Sequence, residues 1–338
     1  MAELKGLYDE PDEERKTHKA NIPSLAGILI FAGTLFSFAF WYPADADSNL
    51  LKYVTTGMLL LFFVGVKDDI VGTAPVKKLI AHFIVGLILV LIADIKITSL
   101  YGFFGIREIA FEVQIILSLF TYIVVVNAFN LIDGVDGLAG GVGLIASLFF
   151  TIWFYLVGET HLAILSIALA GSLFAFLFFN FSPAKIFMGD SGSLTLGIVF
   201  AVLAIKLIET PSELIPSDIL GVSKPTLALS VLAYPLLDTL RIFIYRILKG
   251  DSPFKADRNH IHHRLLDIGL TPAKAVIFIY LYQIVVISSA VLTKGLYATY
   301  SLITVAIVAI ALIQVPFFFP KVKNKLSIAR DADKKKAA

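Results

Sequence analysis

The feature that most constrains the fold of this chain is a series of apolar segments, each about as long as the 20-residue helix that crosses a bilayer. Ten such segments follow one another in the 338 residues. They lie at about residues 24–42, 50–66, 79–95, 112–130, 138–158, 161–179, 191–208, 226–245, 273–293 and 297–319. Ten long apolar helices leave too little other sequence to bury them, so they predict an all-α, polytopic membrane protein. The hydrophobic fraction of 58% agrees with that class.

The distribution of basic residues orients the predicted helices, because cytoplasmic loops of membrane proteins are enriched in Lys and Arg. Alternate loops on one side hold most of them, so that side and both chain ends are predicted to be cytoplasmic. The basic loop residues include Lys67, Lys77, Lys78, Lys185, Arg246, Lys249, Arg258 and Arg264. The expected organisation is a cytoplasmic segment (1–23), a transmembrane domain (24–320) and a basic cytoplasmic tail (321–338). Alternating residues around Gly102 and Gly105 predict a small β-hairpin at the outer surface.

Charge and cysteine content exclude several classes of function. The formal net charge is only +2, which gives no indication of nucleic-acid binding. The chain has no cysteine, which excludes disulfides, cysteine-based zinc sites and a cysteine nucleophile.

The most informative polar stretch is residues 126–140, between the fourth and fifth predicted helices. Asn127, Asn130, Asp133 and Asp136 recur there at a spacing of three residues, among several glycines. Polar groups beside a membrane span are costly and usually functional, and oxygen ligands without Cys or His suit a hard cation such as Mg²⁺. The alternative is a polar turn in which Asp133 or Asp136 is the N-cap of the next helix. The four-residue pattern favours a functional site.

Three further polar motifs lie at the predicted cytoplasmic ends of the helices. Asp68 and Asp69 end the second helix, and adjacent carboxylates repel each other unless they share a cation or a proton. Asp190 begins the seventh helix, either as its N-cap or as a metal ligand. His260, His262 and His263 lie in the largest cytoplasmic loop, where they suit an anionic group.

Together these motifs predict a chemistry that the separate residues do not specify. Carboxylates for Mg²⁺, glycines for close approach and a basic loop for phosphates are typical of phosphoryl transfer. The predicted site lies where water meets lipid. The residues therefore suggest metal-dependent transfer of a phosphoryl or phospho-sugar group onto a lipid.

From about Gly6 to Thr271, the chain resembles the polyprenyl-phosphate N-acetylhexosamine-1-phosphate transferase family. The resemblance rests on Asp68-Asp69, the 127–140 and 187–193 stretches, and His260 to His263, in the family's order. It implies that a UDP-N-acetylhexosamine and polyprenyl (undecaprenyl) phosphate react to give polyprenyl-diphospho-N-acetylhexosamine and UMP. It also implies Mg²⁺, with Mn²⁺ as an alternative, and a cytoplasmic-face site in the bacterial inner membrane.

The resemblance also implies roles for individual residues. Asp68 and Asp69 match the catalytic pair, one of which is proposed to be a base or nucleophile, and Asp190 and Asn130 match metal ligands. Asp136 and Phe187 match residues that hold the uracil. Further nucleotide-pocket positions are matched by Asn127, Asp133, Asn180, Lys78 and Lys19, and His260, His262 and His263 match a loop that faces the diphosphate and sugar.

Departures from the family's pattern and the histidine spacing refine these expectations. Members usually have one more helix before the stretch matching Lys5–Gly27, so ten spans are expected here instead of eleven. His82 stands where a Gln is common. The order His-Ile-His-His favours a simple sugar donor, commonly UDP-GlcNAc, with UDP-MurNAc-pentapeptide as the alternative.

Two alternatives from other classes remain at this point. An ion or solute transporter would use Asp68, Asp69, Asp133 and Asp190 as an ion path, but transporters usually place such groups near the midplane and often contain repeats. A catalytically inactive scaffold is the other alternative, and the intact carboxylates argue against it. The expected partners are the sugar nucleotide, the lipid phosphate and the bilayer, with a homodimer as a further possibility.

Overall fold

A computed structural model of the protein describes residues 8–9, 22–44, 46, 48–250 and 260–321. The helices in these ranges are α1 (Ala26–Phe40), α2 (Ser48–Val71), α3 (Pro75–Leu87), α4 (Phe111–Ile132), α5 (Leu138–Leu156), α6 (Thr160–Asn180), α7 (Gly189–Ile208), α8 (Lys224–Val231), α9 (Ala233–Leu248), α10 (Ile261–Asp267), α11 (Pro272–Leu292) and α12 (Ala298–Gln314). Helix α3 continues as a π-helical turn, Ile88–Ile92, and short 3-10 turns occur at Ser212–Leu214 and Val315–Phe318.

The ten predicted membrane spans correspond one by one to these helices. Eight helices in the described ranges are long and apolar enough to cross a membrane, and the α8–α9 pair adds a ninth span if it counts as one. Helix α1, with 15 residues, occupies the position of the first predicted span but is shorter than the others. The all-α, polytopic class is thereby confirmed.

Helix α7 is the central helix of the bundle. All of its residues except Gly189, Asp190 and Lys206 are buried. It packs against α1, α2, α4, α5 and α8. Close approach requires small residues, since a Cβ on Gly197 would lie 2.5 Å from Cα of Val126 in α4. The N-terminal end of α7 lies beside the ends of α2 and α4 and the start of α3.

Helices α8 and α9 meet at a bend of 77°. A break within a membrane frees backbone groups that lipid cannot satisfy. Gln283, a fully buried residue of α11, supplies the partners: its Oε1 accepts the N–H of Tyr234 at 3.2 Å, and its Nε2 donates to the carbonyl oxygens of Ser230 (3.3 Å) and Val231. One side chain thus stabilises the broken helix.

The predicted β-hairpin is confirmed. Strand β3 (Ser99–Phe103) pairs antiparallel with β4 (Ile106–Glu108), and a separate two-residue pairing joins β1 (Tyr8–Asp9) to β2 (Ile22–Pro23). The hairpin follows the C-terminal end of the α3 segment, whereas Lys78 lies near its start. The hairpin and Lys78 are therefore at opposite ends of the bundle.

Candidate active site

Two of the predicted motifs meet through the side chain of Lys78. Asp68 lies in the last turn of α2, Lys78 near the start of α3, and Asp190 in the first turn of α7. The Nζ of Lys78 lies 2.7 Å from Oδ2 of Asp68 and 2.5 Å from Oδ2 of Asp190. The ammonium group thus bridges two carboxylates that are far apart in sequence. The family resemblance assigns Lys78 to the nucleotide pocket, and the structure shows that its ammonium group lies between these two aspartates.

Asp69 contacts different groups from its neighbour Asp68. Its Oδ1 accepts the backbone N–H of Asp190 at 2.7 Å, and its Oδ2 accepts that of Ser191 at 3.1 Å. Both N–H groups belong to the first turn of α7, where unpaired donors and the helix dipole favour a carboxylate. Asp69 therefore holds the N-terminal end of α7, and Asp68 pairs with Lys78.

Gly189 permits this contact between Asp69 and α7. Its φ is +72°, a conformation that residues with a side chain rarely adopt. A Cβ at this position would lie 2.8 Å from both carboxylate oxygens of Asp69 and 2.7 Å from the carbonyl oxygen of Ser24. Gly65 of α2 is similarly restricted, because its Cβ would lie 2.5 Å from Cα of Ser191.

The alternative N-cap interpretations of the aspartates are wrong. The N-cap of α7 is Met188, and the N-cap of α5 is Gly137, and neither helix start has a side-chain cap from its own N-cap residue. Asp190 lies within the first turn of α7. Asp133 and Asp136 precede α5 without capping it. Their carboxylates are therefore available for other contacts.

Asn130 and Asp133 extend the group of polar residues around Asp190. The Nδ2 of Asn130 donates to Oγ of Ser193 at 3.0 Å, which ties α4 to α7. Burial, together with the Asp190 and Asp69 carboxylates, raises the pKa of Asp133 to about 8, although the N–H of Gly189 opposes the shift. We call Asp68, Asp69, Lys78, Asp133 and Asp190 the aspartate centre. It contains four carboxylates and one lysine.

Asn127 lies one helical turn before Asn130 on α4. Its Nδ2 donates to the carbonyl oxygen of Ile123 at 2.7 Å and lies 3.3 Å from Nδ1 of His82. His82 of α3 is buried, and its Nε2 has no hydrogen-bond partner among the described residues. This pair joins α3 to α4 close to Lys78.

Asp136 and Asn180 connect the loop before α5 to the loop before α7. Oδ2 of Asp136 accepts the backbone N–H of Ala184 at 2.9 Å. Oδ1 of Asn180 accepts the N–H of Gly137, and its Nδ2 donates to the carbonyl oxygen of Ile186, both at 2.8 Å. Both side chains are buried, so they shape the predicted nucleotide pocket through backbone contacts.

Phe187 is half-buried at the end of the second of these loops. Its N–H donates to the carbonyl oxygen of Pro23 at 2.9 Å, and its own carbonyl oxygen accepts the N–H of Ala26 at 3.2 Å. The start of α1 therefore fixes the backbone of Phe187. Lys19, the remaining predicted nucleotide-pocket residue, lies outside the described residues.

Tyr280 of α11 also contacts this region, and sequence reasoning missed it. Its hydroxyl donates to the carbonyl oxygen of Gly137 at 2.5 Å. A Cβ on Gly141 would lie 1.8 Å from that hydroxyl, so the ring occupies the space that this glycine leaves open. The glycine in the motif was a signal for close approach, but the sequence did not show which residue approaches.

The three predicted histidines surround a second buried carboxylate, Asp238 of α9. Nδ1 of His260 lies 2.7 Å from Oδ2 of Asp238, and the rings of His260 and His262 stack with centroids 5.3 Å apart. His262 contacts His263, with ring centroids 4.4 Å apart. Burial, together with His263, lowers the pKa of His262 to about 3, so this ring is neutral at physiological pH. We call Asp238, His260, His262 and His263 the histidine cluster.

Comparison with known proteins finds similarity over most of the chain. The sequence profile of glycosyl transferase family 4 matches residues 51–208, which include the whole aspartate centre and end before the histidine cluster. The undecaprenyl-phosphate alpha-N-acetylglucosaminyl 1-phosphate transferase of Escherichia coli O157:H7 is 32% identical over 303 residues, covering 87% of this chain and 78% of that protein. The probable undecaprenyl-phosphate N-acetylglucosaminyl 1-phosphate transferase of Bacillus subtilis (strain 168) is 32% identical over 302 residues, covering 86% and 78%.

Proposed function

Because this chain belongs to glycosyl transferase family 4, we propose that it transfers N-acetylglucosamine 1-phosphate from UDP-GlcNAc to undecaprenyl phosphate and releases UMP. The names of both relatives specify this sugar phosphate and this lipid. In the proposed reaction, a phosphate oxygen of the lipid attacks the β-phosphorus of the sugar nucleotide. The bond from that phosphorus to the UMP oxygen breaks, and UMP leaves.

The observation that carries this proposal is the meeting of Asp68, Lys78 and Asp190 at one end of the bundle. A site at a helix end is accessible both to a water-soluble donor and to a lipid whose phosphate lies at the bilayer surface. Phosphoryl transfer depends mainly on positioning and on neutralising charge, which clustered carboxylates with a cation and a lysine can supply.

A divalent cation fits the donor set of the aspartate centre. Its carboxylate oxygens are hard ligands of the type that Mg²⁺ prefers, and one lysine does not balance four carboxylates. Burial is the main cause of the raised pKa of Asp133, and the negative charges of Asp190 and Asp69 add to it. We propose that Asp190 and Asn130 hold Mg²⁺, or Mn²⁺ in its place. When bound, the cation would screen the negative charge of the donor's diphosphate.

The contacts of Asp68 and Asp69 support different roles for the two residues. Asp68 is partly exposed, and among the described residues the contact found for its carboxylate is that of Oδ2 with Lys78. It is therefore the better placed of the two to accept a proton from, or to orient, the lipid phosphate. Both oxygens of Asp69 accept backbone N–H groups, so we assign it the positioning of α7 and thus of Asp190.

The loops before α5 and α7 are the proposed nucleotide pocket. Asp136 and Phe187 would hold the uracil, by hydrogen bonding and by stacking. Asn127, Asp133 and Asn180 would complete the pocket. Asn127 contacts α3 and α4, and Asn180 contacts the loops before α5 and α7. The histidines of the cluster would face the diphosphate, the half-buried His263 from the surface of α10 and His260 through its Nε2.

Two alternatives differ from this proposal in substrate or class. A phospho-MurNAc-pentapeptide transferase would use the same chemistry with a larger donor, and the names of the relatives favour the simpler sugar. A transporter would place its carboxylates near the midplane of the membrane. Here, the carboxylates of the aspartate centre lie at the ends of α2, α4 and α7, which favours the transferase.

The test is UMP release by the purified protein in detergent with Mg²⁺, undecaprenyl phosphate and a panel of UDP-sugars. We expect UDP-GlcNAc to react fastest and EDTA to stop the reaction. Asp267→Asn is a matched control, because it removes a surface carboxylate that pairs with Lys321 at 2.6 Å, outside the aspartate centre. Reaction with UDP-MurNAc-pentapeptide alone would contradict the sugar assignment, and undiminished turnover in EDTA would contradict the metal assignment.

A further inference from the structure

Asp238 is a buried carboxylate that neither the motifs nor the proposed reaction uses. It lies in α9 and is completely inaccessible to solvent. An ionisable group within a predicted membrane span is costly and usually has a function. Both of its oxygens contact one short segment: Oδ2 lies 2.7 Å from Nδ1 of His260, and Oδ1 accepts the N–H of Ile261 at 2.9 Å. The carboxylate therefore fixes both the start of α10 and the imidazole that precedes it.

A metal site is the competing interpretation, since Asp238, His260 and His262 present ligand atoms within 4.8 Å of one another. Two ligands on one tetrahedral zinc ion, each about 2.0–2.1 Å from it, lie ~3.3 Å apart. The observed 2.7 Å between Asp238 and His260 is instead the length of a charge-assisted hydrogen bond. The other carboxylate oxygen is already bonded to a peptide N–H. The geometry therefore favours a hydrogen-bonded pair.

We propose that Asp238 is a positioning residue for the transfer reaction, which keeps Nδ1 of His260 protonated and leaves Nε2 as the ring atom available to a substrate phosphate. This inference rests on the proposed function. An imidazole whose Nδ1–H is bonded to a carboxylate is held in one tautomer and one orientation. With Nδ1 protonated, Nε2 accepts a hydrogen bond when the ring is neutral and donates one when the ring is protonated. Asp238 thus acts through His260 and does not itself touch the substrate.

Several ionisable groups surround this pair. His262 of α10 stacks on His260 and contacts His263, and Tyr234 of α9 and Tyr282 of α11 are close enough to Asp238 to interact with it electrostatically. Arg241 of α9 is close enough to influence Tyr234. The two tyrosine hydroxyls have no hydrogen-bond partner among the described residues. Within this set, Asp238 is the carboxylate that contacts His260.

The experiment compares Asp238→Asn, His260→Ala and their double variant, with Asp267→Asn as the control. Asn has one acceptor and one donor in place of two acceptors, so it cannot serve both His260 and Ile261 as Asp238 does. We expect Asp238→Asn to lower the rate of UMP release by about 10-fold to 100-fold. We expect no further loss when it is added to His260→Ala.

Several results would overturn the proposal. They are normal activity of Asp238→Asn or an additional loss in the double variant. Zinc bound in a 1:1 ratio and lost in Asp238→Asn would show that the cluster is a metal site instead.

The tautomer of His260 is measurable without activity, by ¹⁵N NMR of the histidine-labelled protein with His260→Ala as the assignment control. Protonation at Nδ1 is expected, and protonation at Nε2 alone would overturn the proposal. If the wild-type protein releases no UMP from any UDP-sugar, the proposed function fails, and the NMR result still decides whether Asp238 sets the tautomer.

Discussion

Asp69 in the aspartate centre and Asp238 in the histidine cluster have the same structural task at two places in the bundle. Each carboxylate accepts backbone N–H groups at the start of another helix: Asp69 accepts two from α7, and Asp238 accepts one from α10. The surroundings differ. Asp69 lies among three other carboxylates and one lysine, whereas Asp238 lies beside a histidine and a second, neutral histidine.

This difference separates two ways of using a buried carboxylate. Excess negative charge is costly unless a cation enters, so the aspartate centre is suited to bind one. A single carboxylate with an imidazole on one oxygen and a peptide N–H on the other has a partner for each oxygen and is suited to hold a fixed geometry. Variants of the two regions should therefore fail in different ways.

The largest expected effect is at the aspartate centre. Asp190→Ala removes the proposed metal ligand and one partner of Lys78, and Asp68→Asn removes the other charged partner. We expect each to lower the rate of UMP release by at least about 100-fold, since each group would stabilise charge in the transition state. Binding of the UDP-sugar, measured by calorimetry, should change less than the rate. Wild-type turnover in both variants would show that the aspartate centre is only a solvated helix end without a catalytic role.

The next prediction tests whether Asp69 is a positioning residue, through the glycine that admits it. Gly189→Ala should destabilise the protein by about 2–4 kcal/mol, because it adds steric overlap with the Asp69 carboxylate to backbone strain. Gly72→Ala is the matched control: its φ is +71°, but no atom lies within 4 Å of the added Cβ. Backbone strain alone should lower the free energy of unfolding of Gly72→Ala by about 1–2 kcal/mol.

Thermal unfolding in detergent and UMP release measure both glycine variants. Gly189→Ala should lose activity and stability together, and Gly72→Ala should lose only some stability. Equal losses in the two variants would show that the contact with Asp69 has no separate importance.

A magnesium titration sharpens the comparison between the two regions. Asn130→Ala should raise the Mg²⁺ concentration for half-maximal activity by about tenfold, because it removes a proposed ligand of the cation. His260→Ala should lower the maximal rate and leave that concentration unchanged. A shift of the magnesium requirement in His260→Ala would mean that the two regions share the cation and are not separate.

The smallest expected effect is on stability as a function of pH. The carboxyl group of Asp133 has an ordinary pKa of 3.8, and in the fold its pKa is about 8. Folding thus favours the protonated form, and the stability that depends on it is lost as the pH rises from about 4 to about 8. In EDTA, the melting temperature should fall over that range by a few degrees more in the wild type than in Asp133→Asn. Parallel melting curves would place Asp133 outside the charged group.

The sequence predicted most of the fold and the residues of the aspartate centre. The apolar segments are long, and polar residues such as Asp68 and Asp190 are conspicuous beside them. The sequence did not separate the roles of Asp68 and Asp69. Neighbouring residues on a helix point in different directions, and the position of α7 determines which of the two aspartates contacts its first turn. Two residues that are adjacent in a motif can therefore have different roles in the site.

Asp238 and Tyr280 were missed for a related reason. Asp238 lies 22 residues before its partner His260, in a helix that also carries other charged residues, so no local pattern marks it. Tyr280 is one of several aromatic residues in α11, and its contact depends on how that helix packs against Gly141. Contacts of this kind are set by tertiary packing and leave no periodic signal in the sequence.

The burial of α7 has a consequence for how the protein responds to the thickness of its bilayer. In the most apolar 18-residue stretch of α7, 94% of the residues are buried inside the protein. The corresponding share is 28% for the α3 segment and 28% for the α12 segment. Lipids of unusual acyl-chain length act on the helices that they touch, through tilt and local stretching of the membrane. The height of Asp190 is instead set by protein neighbours. In thinner or thicker membranes, we therefore expect the peripheral helices to adjust while the first turn of α7 keeps its position relative to α2 and α4.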